Sequence, residues 1–157
     1  MLKKLSALFN GAETKAAPSA HDLELAAAAL LVEVCHADHD ADARETAAIV
    51  EIAKTTLHLN EQEARQLLDD AAQRKSSATS LYEFTDLLNR HIDKVEKVSL
   101  VEDCWRVAFA DGNIDRYEDH MIRKIAELLY VSHSDFIRAK LRVANSVNKT
   151  NQENNNA

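Results

Sequence analysis

The sequence predicts an all-α fold, a compact bundle of about seven helices, on three observations. Turn-forming residues are scarce, helix-start pairs recur along the chain, and apolar residues follow the starts at helical spacing. The 157 residues include only two glycines and one proline, and 5% are aromatic. A β-sandwich or barrel would need a turn signal roughly every 8 to 12 residues and many more Val, Thr and aromatic side chains. Gly11 and Gly112 stand far apart, which excludes a glycine-rich phosphate loop.

The first residues, MLKKLSALF, put Leu2, Leu5, Leu8 and Phe9 at helical spacing beside Lys3 and Lys4. Residues 1–10 therefore read as a short amphipathic helix that either touches anionic lipid or packs on its own domain or on a partner. Residues 11–18 read as a linker, residues 19–144 as one helical domain, and the asparagine-rich residues 145–157 as a disordered tail.

Within the domain, a capping residue followed three positions later by an acid marks each expected helix start, because the two side chains satisfy orphan amides of the first turn. The pairs are Ser19/Asp22, Asp42/Glu45, Asn60/Glu63, Ser80/Glu83, Asp93/Glu96, Asp115/Glu118 and Ser132/Asp135. Apolar spacing supports them, with Ile49, Ile52, Ala53 and Thr56 in the second helix and Val98, Val101, Cys104, Trp105 and Ala108 in the fifth. The run from Ala26 to Val34 is the most apolar, but Glu33 and its shortness mark a buried helix and not a membrane span, which needs about 18 apolar residues or more.

The net charge of −7 argues against a nucleic-acid partner, which would demand a basic face, and suits divalent cations or basic partners. Cys35 and Cys104 fit no CxxC pattern and read as core residues in a reducing cytoplasm.

A shift of 73 residues aligns Ala37-Asp38 with Ala110-Asp111, Asp42 with Asp115, Glu45 with Glu118, Ile49 with Ile122 and Ile52-Ala53 with Ile125-Ala126. After a one-residue slip, Leu57-His58-Leu59-Asn60 matches Leu129-Tyr130-Val131-Ser132. The expected unit is helix, acidic loop, helix, short turn and helix, present twice, with the fourth helix between the copies.

The two loops carry oxygen side chains at alternate positions, Asp38, Asp40 and Asp42 in the first and Asp111, Asn113 and Asp115 in the second. Such a ladder suits a hard cation, calcium among them. Its start is similar to an EF-hand, but Ala43 and Arg116 stand where an EF-hand has glycine, and the next acids, Glu45 and Glu118, come too early for the bidentate glutamate. Capping boxes explain Asp42 with Glu45 and Asp115 with Glu118 without any metal. Asp38 and Asp111 fall at helix C-termini, where a carboxylate is unfavourable by about 0.3–1 kcal/mol. Gly112 is the expected left-handed residue past the second of these helices, with His39 in the equivalent place.

The doubled motif, as in Ala110-Asp111-Gly112-Asn113-Ile114-Asp115-Arg116-Tyr117-Glu118, resembles the TerB-like family over roughly Ser19 to Val143. That family includes tellurite-resistance proteins and the N-terminal domain of membrane-anchored J-domain co-chaperones. The resemblance implies a helical bundle whose acidic loops hold a divalent ion, often regarded as calcium, and a role in stress-response or membrane-associated complexes, without catalysis. It carries a metal role to Asp38, Asp42, Glu45, Asp111, Asp115 and Glu118, whereas Asp40 and Asn113 come from spacing alone. The first loop has His39 and Ala41 where the second has Gly112 and Ile114, so the second loop keeps the pattern better.

Other chemistries fare worse. Cys35, His36 and His39 are close in sequence, but a helix ending before His39 separates them as zinc ligands. His120 fits an exposed helix face, and Trp105, Phe109 and Tyr117 around the second loop read as core. No nucleophile and base pair has sequence context, and a metal-dependent hydrolase would need both loops to share one open site. The resulting expectation is a non-enzymatic, cytoplasmic protein that binds a divalent cation in paired acidic loops and engages a protein partner, with peripheral contact at the inner face of a membrane through residues 1–10. The alternative is a metal-independent, membrane-associated interaction module.

Overall fold

The computed structural model describes residues 17–36, 43–73, 78–110, 112, 114 and 116–156. These form seven α-helices and no strand: α1 (Ala20–His36), α2 (Ala43–Thr55), α3 (Glu61–Gln73), α4 (Ala78–His91), α5 (Lys94–Phe109), α6 (Arg116–Leu128) and α7 (His133–Asn155). The expected amphipathic helix over residues 1–10 lies outside the described residues.

The capping pairs start the helices as their chemistry dictates. At α1, Ser19 N–H donates to Asp22 Oδ2 at 2.9 Å and Asp22 N–H donates back to Ser19 Oγ at 3.1 Å. Asn60 and Glu63 repeat this reciprocal box at α3, at 3.2 and 2.8 Å. Asp93 and Ser132 cap α5 and α7 by accepting from Glu96 N–H and Asp135 N–H. Ser80 is different: α4 already begins at Ala78, so Ser80 is a helical residue and not the cap. The stretch before it is rich in Ser and Thr and offers several caps, of which the acid spacing picked the wrong one.

α1 occupies the centre and packs against α2, α3, α4, α5 and α6. Every residue from Leu25 to Cys35 is buried, Glu33 included, so this stretch of the helix has no wet face. α5 is nearly as enclosed and packs most extensively on α7. Trp105 of α5 is fully buried, its ring 5.4 Å from that of Phe136 and 6.1 Å from that of Phe109. Cys35 and Cys104 are buried thiols that form no disulfide, as expected of core cysteines.

α2 and α6 both end on a non-glycine residue in the left-handed region, His58 at φ 54° and Tyr130 at φ 58°. Val131 N–H reaches back to Ala126 O at 2.9 Å, and Leu59 N–H to Ala53 O at the same distance. The first of these turns encloses one residue more.

The seventh helix departs from expectation. α7 runs on to Asn155, through the asparagine-rich stretch that composition reads as a disordered tail from Asn145. Val143 is buried and Val147 packs on the core, and these apolar anchors carry the helix past Asn145 before residues 148–156 become exposed.

Candidate functional site

The acidic segments join α1 to α2 and α5 to α6. Of the eight oxygen-bearing residues that the sequence singles out, Asp38, Asp40, Asp42, Asp111, Asn113 and Asp115 lie outside the described residues. The other two are Glu45 and Glu118, and both are 3% exposed. Each stands in the first turn of its helix, α2 or α6, where the helix N-terminus favours a negative charge. Glu45 Oε2 accepts from the Cys35 thiol of α1 at 3.5 Å, which joins the two helices that the first segment connects.

On the other side of the second segment, α5 closes at Phe109, two residues before Asp111. Ala110 N–H donates to Val107 O and Gly112 N–H to Phe109 O. Gly112 adopts φ 86°, the left-handed conformation that the sequence assigns to it. Tyr117 does not join the core with Trp105 and Phe109: it is 45% exposed, because its place in the first turn of α6 points away from the face that buries Glu118 and Met121.

Beside this segment lies a cleft of about 310 Å³ that the sequence reading did not foresee. Ile114, Arg116, Asp119, His120, Arg123 and Lys140 line it. Asp119 accepts from Arg123 of its own helix at 3.5 Å and from Lys140 of α7 at 3.3 Å. The two cations also lie over aromatic faces, Lys140 at 4.9 Å from the Trp105 ring centre and Arg123 at 5.2 Å from that of Phe136. Basic residues from two helices thus meet next to an acidic loop, a grouping that pairs such as Arg123-Lys124 in the sequence do not reveal. His120 is exposed, as expected.

A second group that escaped the sequence reading is the pair of buried acids in α5. Glu102 accepts from Arg142 of α7 and lies 3.6 Å from Arg106. Asp103, 1% exposed, accepts from Arg106 at 2.5 Å. Burial pushes the Asp103 carboxyl up to about 6, and the Arg106 charge only partly opposes this. Arg106, three and four residues beyond these acids, was the available signal. Burial likewise pushes the neighbouring Cys104 thiol far above its ordinary range, which makes it a poor nucleophile.

Among the described residues, no three His, Cys, Asp or Glu side chains gather as a metal-binding group. Cys35 is engaged with Glu45, while His39 lies outside the described residues. No helix among them is long and apolar enough to cross a membrane.

The model of the family described as tellurite resistance protein TerB matches residues 24–141. Neither a curated protein nor a solved structure gives a significant match. The matched span begins in α1 and ends in α7, so it takes in both acidic segments and both buried glutamates.

Proposed function

Because the chain belongs to the tellurite resistance protein TerB family, we propose that it is a stress-response protein without catalysis of its own, which holds a divalent cation in its acidic loops and engages a protein partner. The observation that carries this reading is the matched burial of Glu45 and Glu118. A carboxylate withdrawn from water is costly unless positive charge compensates it. The N-termini of α2 and α6 and the partners of both glutamates within the fold supply part of that compensation, and a cation held in the adjoining acidic segment would add to it.

The donor set fits a hard cation, since all its members are oxygens. Asp38, Asp40, Asp42 and Glu45 would hold one ion, and Asp111, Asn113, Asp115 and Glu118 another. When bound, the ion supplies charge neutralisation. The chain's own part is to bring the end of one helix and the start of the next to the same acidic segment, α1 with α2 and α5 with α6. Neutralising the acids fixes the angle between these helices and therefore the surface offered to the partner. The buried thiols are consistent with a reducing, cytoplasmic setting.

Calorimetry of the full chain with calcium, magnesium and manganese tests this. Binding at millimolar affinity or tighter is expected, with a stabilisation of about 1.4 kcal/mol at tenfold excess over Kd. Asp111→Asn should weaken both effects. No binding near millimolar concentration, together with an unchanged melting temperature for Asp111→Asn, overturns the reading.

A further inference from the structure

A second cavity shares no lining residue with the cleft beside α6. It measures about 430 Å³ and opens between the start of α1, the α2–α3 turn, the end of α4 and the start of α5. Its walls are mostly apolar, with Leu23, Leu57, Leu88 and Ile92 among them. Val95 stands at its edge, 77% exposed. Three carboxylates also line it, those of Glu24, Glu96 and Asp103, and among the described residues no lysine or arginine does. Asp103 is held by Arg106, and Glu24 meets the imidazoles of His58 at 3.3 Å and His21 at 3.8 Å. The occupant such walls select has apolar side chains with cationic ones beside them.

The chain carries a segment of that chemistry next to the cavity in sequence. Leu2, Leu5, Leu8 and Phe9 alternate with Lys3 and Lys4. Lys3, Lys4 and Lys15 against Glu13 give the first fifteen residues a surplus of two positive charges, in a chain whose net charge is −7. Ala20, the first residue of α1, is itself part of the cavity wall. Residues 10–19 form a tether that extends to at most roughly 35 Å, ample for the segment to return to the cavity beside which the tether ends.

We propose that this cavity is the binding site for the chain's own basic leader, residues 2–9, whose leucines meet the apolar walls and whose lysines meet Glu24 and Glu96. A leader held in this way is unavailable to any other surface, so the site controls whether it is presented. The inference is independent of cation binding in the acidic loops.

A spin label on Ser6→Cys in the full chain tests it, because Cys35 and Cys104 are buried and leave the new thiol as the one open to labelling. Amide resonances of Ile92, Val95 and Ser99 should lose most of their intensity, and adding Lys3→Glu and Lys4→Glu to the labelled chain should restore it. Undiminished resonances in the labelled chain overturn the proposal. So does broadening that survives the charge reversal, or broadening of isotope-labelled chains by spin-labelled ones mixed with them, which would make the occupant a second copy.

Discussion

The side-chain amide of Asn89 in α4 donates to the main-chain carbonyl of Leu128 at 2.8 Å and so satisfies the last residue of α6 from another helix. Such terminal carbonyls have no partner within their own helix. Asn89→Ala removes the bond and leaves that carbonyl without it at a partly buried place, at a cost of about 1–2 kcal/mol. Urea unfolding should register this as a lower midpoint with an unchanged slope.

Asp103 makes stability depend on pH. Its carboxyl titrates near 6 in the folded chain against 3.8 for the ordinary group, so the folded state holds the proton more firmly than the unfolded state. Stability from this group is therefore complete below about 4, is lost as pH rises towards 6, and stays lost above. The difference corresponds to at most roughly 3 kcal/mol. Asp103→Asn should flatten the decline in unfolding free energy between these pH values, as measured by urea titration across the range.

The left-handed residues make opposite predictions. Gly112 has nothing within 4 Å of where a Cβ would stand, so Gly112→Ala meets only backbone strain, about 1–2 kcal/mol. Tyr130 bears that strain already, at φ 58° and 83% exposed, so Tyr130→Gly should raise stability by about 0.5–1 kcal/mol. Calorimetric melting of the two variants should move in opposite directions.

Phe136 shields Trp105. Phe136→Ala opens a cavity against the indole and should cost about 3–5 kcal/mol. Trp105 is the only tryptophan, so the same variant should show red-shifted emission if water enters, a change readable without unfolding.

Helix number and most helix starts were legible because a capping box is a local pattern: Ser19 with Asp22 and Asn60 with Glu63 name their own partners. Ser80 was misread where several cap residues crowd together. The run past Asn145 was misread because two valines outweigh polar composition in holding a helix to its neighbour. Of the candidate site the sequence names residue types, of which Glu45 and Glu118 are among the described residues, but not their surroundings. Burial of Glu45 and Glu118 depends on where the first turns of α2 and α6 land in the bundle, which no local pattern states. The charges of Arg123 and Lys140 meet only when α6 and α7 pack, and Glu102 finds Arg142 the same way.

The buried stretch of α1, Leu25 to Cys35, governs how the molecule can move. A helix gripped on all sides by close-packed neighbours behaves as an axle: it cannot tilt or slide without a simultaneous change in five others. Its amides should exchange with solvent only when the whole domain opens, more slowly than those of the exposed end of α7. Any rearrangement short of unfolding must then be taken up by the outer helices turning about a fixed centre.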